Sequence, residues 1–186
     1  MKRVIMSTIG LLAVLLTLGT SIALARTDQH QPAVPLPQAV RQATEQFKDV
    51  AKAEEAGYAL FHGCASGQQE GAMGIHYANG AFFADGELDV SKPEALLYEP
   101  VKGKMQLLGV EYIVPAEDWN AKHDAPPVLN GQLFNLLGAP NRYGLPAIYE
   151  LHVWAWKRNP SGVFADFNPN VSCAEFTGDA APAAHH

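Results

Sequence analysis

Cysteine is scarce in this chain: there are two among 186 residues, Cys64 and Cys173, and neither lies in a CxxC pair. That spacing argues against a zinc ribbon or a dithiol redox site. Positive charge is also in short supply, with 13 Lys and Arg against 19 Asp and Glu, a net charge of −6. No basic cluster is present to neutralise phosphates, so nucleic acid and anionic membranes are excluded as partner classes. Apolar runs of about 18 residues are missing from residue 26 onward, so no stable membrane span is expected there. HExxH, GxSxG, the phosphate-binding loop and the dinucleotide fingerprint are absent too, and no motif names a reaction.

The one long apolar run opens the chain. In MKRVIMSTIGLLAVLLTLGTSIALA, Lys2 and Arg3 precede an apolar stretch from Ile9 to Leu18, and Ala23 and Ala25 frame a small-residue site. That order is the order of a secretory signal peptide, expected over residues 1–25. Cleavage after Ala25 leaves 161 residues, enough for one domain with a core, and lowers Lys and Arg from 13 to 11 against 19 acids, a net charge of −8. The expected location is secreted or periplasmic. An oxidising compartment and an even cysteine count predict a Cys64–Cys173 disulfide, the alternatives being a reactive thiol or a pair of metal ligands.

Residues 26–36, RTDQHQPAVPL, read as a flexible leader. Residues 37–176 are expected to form a single globular domain, and 177–186, TGDAAPAAHH, a disordered tail. Pro37 suits a helix start, and Val40, Ala43, Phe47, Val50 and Ala51 recur at helical spacing, so an amphipathic helix is predicted from Gln38 to Ala56, stopped by Gly57. Strands are predicted at Ala72–Tyr77, Ala81–Ala84, Ala95–Glu99, Gln106–Val114, Ala147–Trp156 and Val163–Asp166, with a hairpin around Lys102-Gly103. Their connections are too short for crossover helices. The expected fold is α+β, the N-terminal helix packed on a mainly antiparallel sheet or barrel. Residues 115–146 form a long Pro-, Gly- and Asn-rich connection of the kind that closes a pocket or packs over a sheet end.

The segments GAMGIHY, PEALLYEP, LLGVEYIVP and LHVWAWKRNPSGVFADFNPNVSC together resemble a family of exported bacterial proteins of uncharacterised function. The resemblance spans about Phe47 to Cys173. It implies a coherent secreted domain and transfers no activity.

Three ionisable residues share one context: His76 in GIHYA, Glu111 in GVEYI and His152 in LHVWA lie inside predicted strands between apolar neighbours. A charge there is costly unless paired. Two imidazoles and a carboxylate are a familiar donor set for one divalent transition metal, Zn, Fe, Mn or Cu, if the three strands aim them at one point. The alternatives are a hydrogen-bonded polar cluster or metal-free acid–base catalysis. The comparison with a cupin fails at the sequence level, because His76 is followed by Tyr77 and Ala78 rather than completing an HxH. In ELHVWAWKRNP, strand alternation puts Glu150, His152, Trp154 and Trp156 on one face, and Phe82, Phe83, Tyr98, Tyr112 and Trp119 are candidate neighbours. Trp154, Trp156 and Tyr112 are therefore the expected walls of a small-molecule pocket, with ordinary core packing as the alternative. His62 and His123 are read as surface residues, and Asn159 and Asn168 as braces of loops near the site. The leading function is an exported small-ligand-binding domain, with a donor set on His76, Glu111 and His152 that would allow a divalent metal to organise it. The alternatives are a metal-dependent hydrolase or oxidoreductase, and a structural or protein-interaction domain without a ligand.

Overall fold

A computed structural model describes residues 34–178. The predicted signal peptide, most of the leader and the end of the tail lie outside the described residues.

The N-terminal helical region follows the predicted apolar spacing but is broken into three pieces. Helix α1, Leu36–Thr44, buries Leu36, Val40 and Thr44 along one stripe. A 3₁₀ turn, Glu45–Lys48, buries Phe47. Helix α2, Val50–Glu55, then starts afresh because the Asp49 carboxylate accepts from Ala51 N at 3.1 Å and caps it. An Asx side chain that satisfies the backbone locally competes with continuing the helix, so a single helix over 38–56 is not formed. Gly57, at φ +90°, ends the region as expected.

The sheet has strands β1 (Ala59–Ser66), β2 (Ala72–Ala78), β3 (Ala95–Val101), β4 (Lys104–Pro115), β7 (Asn135–Leu137) and β8 (Ile148–Val153). Their order is β1-β2-β3-β4-β8-β7, every pairing is antiparallel, and the sheet forms a half-barrel. With the helices this is the expected α+β fold. Lys102 and Gly103 both take positive φ, 51° and 73°, which turns β3 into β4 as the hairpin reading required. A short ribbon, β5 (Val128–Leu129) with β6 (Gln132–Leu133), lies in the long connection together with α4 (Ala116–Asn120).

Two predicted strands are not strands. Ala81–Ala84 lies in helix α3, Gly80–Asp85, because Asn79 Oδ1 accepts from Ala81 N and Phe82 N, and Gly86 at φ +68° closes the other end. Cap chemistry at both ends outweighed the apolar run between. Val163–Asp166 is turn, with Val163 O accepting from Trp154 N at 3.0 Å. Strand β1, by contrast, had no clear sequence signal.

Alternation divides the sheet into two faces. Leu96, Tyr98, Val110, Tyr112, Val114, Tyr149, Leu151 and Val153 join the helical region in the main core. Arg41 Nε donates to Ala155 O, and Trp156 Nε1 donates to Thr44 Oγ1 at 3.1 Å, tying α1 to the chain just beyond β8. Residues one position out of phase, His76, Leu97, Ala95, Glu111, Ile113, Glu150 and His152, line the other face, where pairing sets His76 against Leu97 and Glu111 against both Ala95 and His152.

Candidate metal centre

β2 and β4 are not adjacent, so His76 and Glu111 must meet across β3. Strands stand about 4.8 Å apart, and two such steps are within reach of a His and a Glu only over a small residue. Ala95 is that residue: it pairs with Glu111 on one side and Ala78 on the other. The sheet is also pinched here. A bulge interrupts β3–β4 pairing between Leu97 and Tyr98, and a Cβ on Gly109 would lie 2.3 Å from Val153 O. On β2, Gly74 has φ +98°, and a Cβ there would lie 2.5 Å from Tyr98 O. Two glycines, each two residues before a site residue on its own strand, thus permit a backbone approach that no side chain allows.

The outcome is convergence. His76 Nε2 lies 3.4 Å from Glu111 Oε2, and His152 Nε2 lies 3.8 Å from Glu111 Oε1. The three residues are 2, 1 and 0 % exposed. One donor atom from each lies within 4.8 Å of the other two, an arrangement that could hold a metal ion. Donors sharing an ion at about 2.0–2.2 Å stand roughly 3–4 Å apart, which is longer than a good hydrogen bond and matches these separations.

Further polar groups crowd the same place. His152 Nδ1 faces Asp166 Oδ1 at 3.4 Å, and Glu150 joins them in a second set of donors within 4.8 Å of one another. His62 pairs with His76 across β1 and β2, and its ring centroid lies 6.3 Å from that of His76. Among the described residues, the buried side-chain N and O atoms without a hydrogen-bond partner belong to His62, His76, Glu111, Glu150, His152 and Asp166. Folded proteins rarely leave such atoms unmet, and here all of them fall in one cluster.

Charge follows from this packing. Burial alone would raise the Glu111 carboxyl, but the facing imidazoles of His152 and His76 prevail and hold it below the usual range. Glu150 is pushed up by burial and by the neighbouring Glu111 carboxylate. Burial disfavours a charged His152, yet Glu111 and Asp166 override it and raise the ring to about 9. His62 is lowered by burial and by His76. No Lys or Arg among the described residues forms an ion pair with Glu111, Glu150 or Asp166; Arg142 instead donates to Ser66 O at 3.5 Å.

Beside the cluster lies a cavity of about 90 Å³. His76, Glu111 and Glu94 supply its polar wall, and Phe61, Phe83, Ile113, Leu145 and Ile148 are among its apolar lining. Glu94 Oε2 accepts from Ile113 N at 2.9 Å, and burial raises its carboxyl to about 8. The long connection does form part of the wall: Tyr143 and Leu145 line the cavity. Tyr143 packs its ring 5.6 Å from that of His76 and donates to Met73 Sδ at 3.1 Å. Asn141 shapes this loop, donating to Gly138 O and Leu145 O and accepting from Tyr143 N and Leu145 N.

The expected aromatic walls are placed elsewhere. Tyr112 is one residue out of phase with Glu111, so it points into the opposite core and donates to Val90 O at 2.8 Å. Trp156 lies beyond the end of β8, where Trp156 N and Lys157 N both bond to Leu108 O; the alternation stops and its ring packs on α1 and under Lys48 Nζ. Trp154 keeps the His152 side but packs with Leu97, Leu108 and Val171, its indole N–H donating to Ala165 O. Phe82, Tyr98 and Trp119 belong to or pack on the main core, and only Phe83 of the aromatics named from sequence lines the cavity. His62, expected at the surface, is half-buried, with its Nε2 shut off from solvent. His123 is exposed, stacked on Trp119.

Asp166 reaches the site from a loop that is tightly held. Asn159 Nδ2 donates to Phe167 O, Asn168 Nδ2 donates to Arg158 O, and the Asn168 backbone pairs with Ala72. Both asparagines act as the predicted braces. The Cys64–Cys173 disulfide, as expected, joins β1 to the segment after this loop. No helix among the described residues is long and apolar enough to cross a membrane.

No family model matches this chain, and neither a curated protein nor a solved structure matches it.

Proposed function

We propose that the protein is an exported small-ligand-binding domain whose site is organised by one divalent transition metal, Zn, Fe, Mn or Cu, on His76, Glu111 and His152. The observation that carries this reading is the gathering of unpartnered buried nitrogens and oxygens at separations suited to a shared ion. A bound divalent ion there would act as a Lewis acid toward an oxygen-bearing ligand. The chain's own residues set what else can enter. The cavity is smaller than the roughly 150 Å³ apolar cavity that accepts benzene, so it suits a short apolar group. Tyr143 and Leu145 cover that group, and Glu94, kept protonated at neutral pH by burial, presents a neutral carboxyl to it. The disulfide supports an oxidising compartment, and with it export.

A catalytic reading of the same centre, as a metal-dependent hydrolase or oxidoreductase, is favoured by one observation: Glu94 and Glu111 share the cavity in opposite protonation states. The first test is metal analysis of the protein purified without a histidine tag and loaded with each ion. Stoichiometric metal in wild type, lost in His76→Ala and His152→Ala, is expected. Near-zero metal in loaded wild type contradicts the reading. Turnover lost in Glu111→Gln but kept in a distant surface variant would select the catalytic version.

A further inference from the structure

Among the buried atoms that the first ion would leave unmet, three belong to one group of neighbouring residues: Glu150 Oε2, His152 Nδ1 and Asp166 Oδ1. We propose that they form a second divalent-metal site, and that His152 bridges the two ions through its two ring nitrogens. This inference rests on the first site being a metal site.

The simpler use of Asp166 would be to accept the Nδ1–H of His152 and orient the ring. At 3.4 Å the pair is too long for a good hydrogen bond, and a single ring proton can satisfy only one oxygen. Glu150, 4 % exposed, would keep an orphaned oxygen beside it. An ion answers all three residues at once, since one donor atom of each already lies within 4.8 Å of the other two, and His152 Nδ1 stands 3.4 Å from Asp166 Oδ1.

Charge points the same way. Glu111, Glu150 and Asp166 bring three carboxyl groups together where no Lys or Arg among the described residues pairs with them, a donor set that suits a cation. A second ion would displace the Nδ1 proton of His152 and the proton of the Glu150 carboxyl, both passing to water, and the resulting imidazolate with three carboxylates would carry four negative charges against four positive. With metal–nitrogen distances of about 2.0–2.1 Å at each end of the ring, the ions would stand roughly 6 Å apart. The position of Asp166 fits this role. It is partly exposed, with 37 % of its side chain open to solvent, on a loop braced by Asn159 and Asn168, and would give the second ion its way in.

The test titrates Cu(II) into the full exported chain, with His185→Ala and His186→Ala removing adventitious terminal ligands. Bound metal is measured by equilibrium dialysis, and the spin signal by electron paramagnetic resonance. Two equivalents should bind, with the spin signal growing to the first equivalent and falling as the second couples to it through the ring. Asp166→Asn, at a partly exposed position where folding should be retained, should bind one equivalent and keep its full signal; Glu150→Gln should do the same. One equivalent in wild type, or two in Asp166→Asn, or two whose spins remain independent, overturns the bridged site while leaving the first intact. No metal at all overturns the first reading instead.

Discussion

The two faces of one sheet solve the problem of buried polarity in opposite ways. On the helix-covered face, Tyr58, Tyr98 and Tyr112 each donate to a backbone carbonyl, Pro93 O, Phe47 O and Val90 O, at 2.8, 2.6 and 2.8 Å. On the other face, His76, Glu111, Glu150 and His152 are as deeply buried and carry unmet atoms. The contrast holds even within the second face. Glu99 there is served by Lys157 and by Ser172 N, whereas Glu111, further along the sheet's same side, faces two imidazoles and the Glu150 carboxyl, with no Lys or backbone N–H among the described residues bonded to it. A fold able to satisfy Glu99 and three tyrosine hydroxyls leaves one cluster open, and it is there that the proposed metal is placed.

Neighbouring residues allow that contrast to be broken directly. The largest expected effect is Glu111→Gln, which should weaken metal binding by about 1,000-fold, roughly 4 kcal/mol, as read by competition with a chromophoric chelator. Next is removal of the Cys64–Cys173 bridge by Cys64→Ala with Cys173→Ala. Closing a loop of 109 residues contributes at most about 4–5 kcal/mol in a loop-entropy treatment, and denaturant unfolding should show a loss of about 3 kcal/mol.

Glu94 gives a pH signature. Its carboxyl rises from 4.5 to about 8 on folding, so the native state keeps a proton that the unfolded chain releases. Its contribution is fully present below pH 4.5, declines as pH rises from about 4.5 to about 8, and is flat above. Glu94→Gln should flatten the corresponding slope in melting temperature measured from pH 5 to 9; an unchanged slope would refute the assignment. The smallest effect belongs to Tyr112→Phe, next in sequence to Glu111 but on the other face. Loss of its bond to Val90 O should cost about 1 kcal/mol in unfolding and leave metal affinity unchanged.

What could be read from sequence was what depends on period two. Apolar alternation gave β2, β3, β4 and β8, and with them the common face of His76, Glu111 and His152. The same rule, applied one residue too loosely, misplaced Tyr112, and carried past the end of β8 it misplaced Trp156. Asp166, Tyr143 and His62 were beyond its reach. Asp166 and Tyr143 sit on loops whose paths are set by Asn159, Asn168 and Asn141, and His62 lies in a β1–β2 pairing disturbed by bulges. Glu150 did carry a signal, being two residues from His152 in a strand, but its partner came from a loop. The helix break at Asp49 and the cap at Asn79 were also written in the chain, as Asx residues just before helical stretches.

The most direct measurement is anomalous X-ray diffraction from crystals of the tag-free protein grown with Co(II). The expected result is a cobalt peak about 2.0–2.2 Å from His76 Nε2, His152 Nε2 and a Glu111 oxygen. Density showing no ion there, with the Glu111 carboxylate closed onto either imidazole at hydrogen-bond distance, would make the cluster a packing device and end the metal reading.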